Sequence, residues 1–144
     1  MSKLLDRLKQ IGNVRKYKPD NVPQEILDQI IEAGLCAVTG MGYQNTIIIQ
    51  VTDKKTRDEI SKLNCRIGGW KDGFDPFYGA PAMLIVLAKN DWENRVYDGS
   101  LMMSNIMLAA HELGLGSCWI YRAKEVFETE WGKDFLKSLG IEEE

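Results

Sequence analysis

The apolar residues of this chain follow two different spacings, which alternate along the sequence. Apolar residues three or four apart lie on one face of a helix, and this spacing predicts five helices. Short runs of β-branched and apolar residues predict three strands. The predicted helices cover residues 4–11, 23–34, 53–63, 98–113 and 126–140, and the predicted strands cover residues 46–51, 83–88 and 117–121.

Residues with known positional preferences mark the ends of these helices. Ser2 and Asp53 stand where an N-cap is needed, and Pro23 suits the first turn of a helix. Gly34 and Gly140 mark two of the helix ends.

The predicted helix at residues 98–113 is apolar on nearly all sides. A helix with so little polar surface is expected to be buried in a core or in an interface. Three strands make only a thin sheet, which is usually completed by further strands. The length of 144 residues fits a single domain, spanning residues 1–144.

Composition and charge exclude several classes of protein. The sequence is 44% hydrophobic and 27% charged, as in ordinary globular domains, and its formal net charge of -3 offers no basic surface for nucleic acid. It contains no run of about 18 apolar residues, so no membrane span is predicted. Residues 1–10 lack the apolar core of a signal peptide, and we expect a cytoplasmic location.

The cysteines and the single histidine indicate no metal site. Cys36, Cys65 and Cys118 are widely spaced without a CxxC pair, so we expect buried thiols in a reducing cytoplasm. For His111 we expect a packed residue with a hydrogen bond, and the alternative is a proton donor. Because no Ser/His/Asp set, carboxylate pair or metal cluster is apparent, no side chain is assigned a catalytic role.

Several segments together resemble the FMN-dependent nitroreductases. Residues 13–17 (NVRKY) are similar to the phosphate-binding segment of that family, and residues 32–44 (EAGLCAVTGMGYQ) to its glycine-containing loop. Residues 77–81 (FYGAP) resemble the approach to its second strand. The most specific match is to its central helix, in residues 98–100 (DGS) and 105–119 (NIMLAAHELGLGSCW). The matches follow the order and spacing of the family over nearly the whole chain.

The resemblance implies an α+β fold of three α/β/α layers, with a small mixed sheet and helices on both of its faces. It also implies a homodimer. Family members continue past the position of residue 140 with a further strand and a basic tail. We therefore expect this chain to be truncated at its C-terminal end.

The resemblance also implies which residues hold the FMN phosphate. Arg15 matches a family arginine that contacts the phosphate, and Asn13 stands where the family has a serine and still offers a hydrogen bond. Ile11 and Gly12 take the places of paired arginines, which lowers the expected phosphate affinity. The alternative for Arg15 is a solvated surface residue.

A loop between the second helix and the first strand is implied to cross the dimer interface. Thr39, Gly40, Met41 and Gln44 of this loop would pack near the flavin of the partner subunit. The alternative is a tight glycine turn that binds no ligand.

Four more residues are implied to contact the flavin ring. Asn64, expected just after the third helix, would reach the pyrimidine edge, to which an amide offers both donor and acceptor. Trp119, Ile120 and Tyr121 would lie beneath the ring, where a backbone N–H donates to flavin N5. An ordinary residue at a helix C-terminus is the alternative for Asn64, and a core residue is the alternative for Trp119.

The implied activity is that of an oxidoreductase. Hydride would pass from NADH or NADPH through flavin N5 to a nitroaromatic, a quinone or a similar small-molecule electron acceptor. One open flavin face that serves both substrates in turn implies ping-pong kinetics. Two alternatives remain open, a flavin-free dimerisation module and a flavin carrier without turnover.

Overall fold

The computed structural model describes residues 2–141 and contains six α-helices and two strands within that range. In chain order these are α1 Lys3–Gln10, α2 Gln24–Leu35, β1 Thr46–Val51, α3 Lys54–Ile67, β2 Met83–Ala88, α4 Arg95–Glu112, α5 Ala123–Phe127 and α6 Glu130–Ser138. The two strands are antiparallel neighbours, with Thr46 opposite Ala88 and Val51 opposite Met83.

Alternating side chains of the strands point into two separate cores. Ile49 and Ile85 belong to a cluster with α3, α5 and α6 residues, whereas Ile48 and Val86 pack against a cluster built from α2 and α4. Because successive strand residues face opposite sides of a sheet, helices cover both faces. This arrangement confirms the expected three α/β/α layers.

The prediction of a third strand at residues 117–121 is wrong. That segment forms one isolated parallel bridge, between Asn13 and Ser117, in which the Val14 N–H donates to the Ser117 carbonyl at 2.8 Å. The next donor, the Trp119 N–H, bonds the side chain of Asn13 instead of a neighbouring backbone, so the ladder stops. The parallel part of the expected mixed sheet is therefore reduced to this bridge within residues 2–141.

Several features of the helices differ from the sequence-based prediction. The last predicted helix is divided into α5 and α6, because Thr129 accepts a hydrogen bond from the Gly132 N–H at 3.1 Å and so caps a new helix. Helix α3 continues to Ile67, so Asn64 lies inside it. Ser2 occupies the N-cap position of α1 without a side-chain capping bond.

Asp53 caps α3 as predicted, accepting a hydrogen bond from the Thr56 N–H at 2.8 Å. Helix α4 buries one stripe, at Asp98, Met102, Ile106 and Ala110, in which residues four apart share a face. Its other apolar residues are partly buried or exposed, and Tyr97 keeps 68% of its surface accessible. The expected burial therefore holds for one face of this helix.

The expectation for the cysteines is correct for Cys65, which is buried, and wrong for Cys36, which is exposed at the C-cap of α2. Cys118 is partly buried. The three lie on different segments and are free thiols.

Asp75 fixes the long connection between α3 and β2. Its carboxylate accepts hydrogen bonds from Arg57, from Ser61 Oγ at 2.8 Å, and from the N–H groups of Phe77 at 3.0 Å and Gly79 at 2.7 Å. Burial alone raises the pKa of this carboxyl, but the donors, Arg57 first, outweigh burial and hold its pKa below the ordinary value.

We predict that Asp75→Asn lowers the free energy of unfolding by about 1–2 kcal/mol at neutral pH, since the side chain is partly solvent-accessible. Because the folded-state pKa is depressed, this stabilisation is fully present above the ordinary value of 3.8 and is lost as pH falls through the folded-state pKa. Urea unfolding at neutral and acidic pH measures both effects.

The matched control is Asp72→Asn, since Asp72 is exposed on the same connection and makes no ion pair with any residue in the range 2–141. Equal loss of stability in the two variants would contradict the role assigned to Asp75.

Candidate functional site

Two extended segments lie side by side at the edge of the fold. Besides the bridge to Ser117, Asn13 accepts a hydrogen bond from the Trp119 N–H through its Oδ1 atom, at 3.0 Å. This contact leaves the Asn13 amide N–H groups without an acceptor among the described residues. The segment of Arg15 is thus held beside that of Trp119, although the two are far apart in sequence.

Arg15 is exposed and makes no ion pair within residues 2–141. Tyr17, two residues further along the segment, donates its hydroxyl to the Val14 carbonyl. Burial raises the pKa of Tyr17 to about 12, with the nearby Cys118 adding to this and Arg15 opposing it. At neutral pH the segment therefore presents one unpaired guanidinium and a phenol that keeps its proton.

Asn64 anchors the far end of the second segment. Only 2% of its surface is exposed, and its Nδ2 atom donates to the Tyr121 carbonyl at 3.0 Å. Its Oδ1 atom is buried without a hydrogen-bond partner in the described part of the chain. Buried polar atoms are normally paired, so this oxygen is an acceptor with unused capacity.

The segment between these anchors is exposed on one side and packed on the other. Trp119 and Tyr121 are 51% and 75% exposed, whereas Ile120 packs against the core cluster of the sheet. No acceptor within residues 2–141 receives a hydrogen bond from the N–H of Ile120 or Tyr121. The segment thus offers exposed aromatic rings and two unused backbone donors at one surface.

The glycine-containing loop forms a short 3-10 turn at Gly40–Gly42. The Gly40 N–H donates to Asp98 Oδ1 at 2.8 Å, and Thr39 Oγ1 accepts from the Gln44 N–H at 3.0 Å. The Gln44 side chain turns back to the Ala37 carbonyl at 3.3 Å. Met41 has a positive φ of 53° and is 80% exposed at the tip.

Asp98 is a residue whose role sequence reasoning missed. It is 3% exposed, and besides Gly40 it binds the indole Nε1 of Trp92 at 2.7 Å. An acidic residue at the start of an apolar helix was the available signal, because a buried carboxylate requires donors. Asp98 therefore fixes the loop to the N-terminal end of α4.

The site residues expected from the sequence separate into two groups. Hydrogen bonds link Asn13 to the Trp119–Tyr121 segment and that segment to Asn64, with Arg15 beside them. The recorded contacts of the loop run instead to Ala37 and to Trp92, Asn94 and Asp98. Within residues 2–141, no hydrogen bond joins the loop to the first group.

Two residues that were not among the expected cofactor contacts, Arg122 and Trp70, adjoin the first group. The guanidinium carbon of Arg122 lies 4.9 Å from the ring centroid of Trp70 and 5.8 Å from that of Tyr121. Arg122 has a positive φ of 77°. The only sequence signal was the aromatic, glycine-rich character of the stretch after α3, which does not specify a partner.

Other expectations concern His111, metals and membranes. The Nε2 atom of His111 is buried and has no partner among the described residues, so the expected hydrogen bond is absent there. Within residues 2–141, no three His, Cys, Asp or Glu side chains are grouped to hold a metal ion. Over the same range, no helix combines the length and apolar character that crossing a membrane requires.

Comparison with known proteins identifies the family. The model of the Nitroreductase family matches residues 13–66 and 70–143. A Methanothermobacter thermautotrophicus protein with the provisional name NADH dehydrogenase/NAD(P)H nitroreductase is 30% identical over 120 residues, covering 81% of this chain and 59% of that protein. The chain thus spans less than two thirds of the length of this relative.

Solved structures share the fold. A nitroreductase with bound FMN from Bacteroides fragilis superimposes with a TM-score of 0.90 at 26% identity, covering 99% of this chain and 82% of that one. An FMN-dependent nitroreductase from Clostridium difficile gives a TM-score of 0.77 at 32% identity, covering 96% and 79%. Since the family match extends over most of the sequence, the chain belongs to the nitroreductase family.

Proposed function

We propose that this chain is an FMN-dependent oxidoreductase that uses NADH or NADPH. The observation that carries the proposal is the Trp119–Tyr121 segment. Two hydrogen bonds hold its ends: the Trp119 N–H donates to Asn13, and the Asn64 amide donates to the Tyr121 carbonyl. Between these anchors it exposes aromatic rings and unused N–H donors beside the unpaired cation of Arg15. A flavin mononucleotide needs these groups, because it combines a planar heterocycle with a phosphate dianion.

The phosphate end fits the first extended segment. Arg15 supplies a guanidinium that can donate two parallel hydrogen bonds to phosphate oxygens, and Asn13 supplies its unused amide N–H. Residues Ile11 and Gly12, just before them, add no charge. We therefore expect Arg15 to provide most of the phosphate affinity that the described residues contribute.

The ring end fits the second segment. The N–H groups of Ile120 and Tyr121 are the proposed donors toward the flavin ring nitrogen that receives hydride, while the Asn64 amide faces the pyrimidine edge. Asn64 Oδ1 is buried and unpartnered, so it supplies the acceptor that a ring N–H of that edge requires. Asn64 also holds the segment in place through the Tyr121 carbonyl.

The Thr39–Gln44 loop is proposed to act on a second subunit. Its exposed Met41 and the half-exposed Tyr43 form an apolar tip that projects from the surface, on a base fixed by Asp98. Exposed apolar tips of this kind mark interaction sites. In a homodimer, Gly40 and Met41 would pack near the flavin of the partner, with Thr39 and Gln44 shaping the loop.

When bound, FMN supplies hydride transfer through its N5 atom, from NAD(P)H to an electrophilic acceptor such as a nitroaromatic or a quinone, in a ping-pong sequence. The chain supplies binding and orientation. Tyr17 keeps its proton at neutral pH, since its pKa is about 12, and no side chain is assigned as acid or base.

One observation favours a second candidate, a flavin-free dimerisation module. Arg15 is the single cation within residues 11–15, so the phosphate end has little positive charge. Weak phosphate binding would convert the site into a surface without a cofactor.

The visible absorption spectrum of the purified protein, before and after incubation with FMN and gel filtration, tests the proposal. We expect a retained flavin band that NADH or NADPH bleaches anaerobically and that a nitroaromatic or quinone restores. A colourless protein after reconstitution would favour the flavin-free module. A retained band that neither nicotinamide bleaches would favour the carrier.

We predict that Arg15→Gln raises the dissociation constant of FMN roughly tenfold or more, because a charge-assisted pair with phosphate is lost. Flavin fluorescence quenching measures the change. Lys16→Gln is the matched control, since neighbouring residues of an extended segment point to opposite sides. If both variants weaken FMN binding equally, the phosphate is bound by general electrostatic attraction and not by a specific contact with Arg15.

We predict that Asn64→Ala both destabilises the protein, by about 1–3 kcal/mol, and weakens FMN binding, because the Tyr121 carbonyl loses its buried donor. Asn105→Ala is the matched control. Asn105 is also a helical asparagine, and its amide donates at 3.0 Å to the Ala33 carbonyl, outside the proposed site. Thermal unfolding and FMN titration should show lost stability in both variants and lost FMN affinity in Asn64→Ala alone.

A further inference from the structure

We propose that Arg122, Trp70 and Tyr121 form a subsite for a planar aromatic ligand that carries an anionic group, such as an aromatic carboxylate. This inference rests on the proposed function in one respect: the proposed FMN site places the ligand beside the flavin. It adds a substrate class, which the family assignment does not provide.

The guanidinium of Arg122 has no anionic partner among residues 2–141. It lies 4.9 Å from the centre of the Trp70 ring and 5.8 Å from that of Tyr121, and it pairs with no carboxylate within residues 2–141. A guanidinium stacked on an aromatic face keeps its N–H groups directed along its own plane. These donors are therefore available to a carboxylate that approaches from the side.

The backbone of Arg122 adopts an unfavourable conformation. Its φ of 77° and ψ of 16° lie in the left-handed region, where glycine is tolerated and a residue with a Cβ atom is strained. The position directly follows the Trp119–Tyr121 segment. Strain of this kind persists where the surroundings hold a residue in place. The Arg122 carbonyl accepts a hydrogen bond from the Val126 N–H at 3.2 Å, and its side chain lies over the rings of Trp70 and Tyr121.

Trp70 is a fixed platform. Its indole lies against Gly68 so closely that a Cβ atom at that position would meet a ring carbon at 2.4 Å. The Trp70 N–H donates to the Cys65 carbonyl at 3.2 Å, and the ring of Phe74 lies 5.4 Å away. Trp70 is still 40% exposed, so part of its surface is open to a ligand.

These features together select the chemistry of the ligand. The exposed rings of Trp70 and Tyr121 favour a flat aromatic molecule, and the unpaired guanidinium favours one that carries a negative charge. A neutral aromatic molecule of the same shape would gain the stacking and lose the charge-assisted hydrogen bonds. Two sources offer this chemistry, an aromatic acid that accepts electrons and the phosphorylated adenosine of NADPH.

The test compares 4-nitrobenzoate with its uncharged methyl ester by isothermal titration calorimetry on the purified protein in its oxidised state. We expect the acid to bind about tenfold more tightly than the ester, and Arg122→Gly to remove this preference. Glycine suits the left-handed backbone, so the variant should fold, and thermal unfolding checks this. Lys124→Gln, which removes a surface cation paired with Glu128, should keep the preference.

The outcomes separate this inference from the proposed function. A protein that retains FMN but binds acid and ester equally, or whose Arg122→Gly variant keeps the preference, overturns the subsite. A protein that retains no FMN but shows an acid preference dependent on Arg122 supports the subsite while contradicting the proposed function.

A parallel titration with NADPH and NADH identifies the source of the anion. Arg122→Gly is expected to lose the preference for nitrobenzoate over its ester in either case. An unchanged preference for NADPH over NADH in this variant then assigns the subsite to the acceptor, and loss of that preference as well assigns it to the coenzyme. Retention of the preference for nitrobenzoate overturns the proposal, whatever happens to the preference for NADPH.

Discussion

A sheet of two strands cannot bury its own side chains, and this constraint organises the molecule. Ile48 and Ile49, adjacent in β1, point into different cores, so each face of the sheet must be covered by helices. Helices α2 and α4 cover one face, and α3, α5 and α6 cover the other. Most of the proposed binding residues lie on the connections between these elements, and Asn64 lies within α3.

Hydrogen bonds from side chains to the backbone hold these connections, where regular secondary structure is absent. The side chains of Asn13 and Asn64 fix the Trp119–Tyr121 segment, and Asp98 fixes the loop at Gly40. Each bond joins residues distant in the chain. These bonds order the segments. Because each bond uses few of the polar groups in its segment, other backbone donors stay unused and can bind a ligand. This combination suits a protein whose cofactor performs the chemistry.

The surfaces of the two proposed site groups differ in character. The first offers the isolated cation of Arg15 and backbone donors, while the exposed loop tip at Met41 is apolar. The proposed homodimer would combine them, since neither group alone surrounds a flavin. Arg122 and Trp70 add a third element, a cation on an aromatic platform, at the end of the first group.

The sequence by itself determined the family, both strands of the regular sheet and the α3 cap at Asp53, because periodicity and capping depend on neighbours in the chain. Tertiary structure decided the rest. Residues 117–121 read as a strand, yet they lack a partner beyond the bridge to Asn13. The hydrogen bond from the Gly40 N–H to Asp98 and the stacking of Arg122 on Trp70 join segments that no local pattern connects. Pairing, burial and stacking depend on which distant residues meet, and only the folded chain decides that.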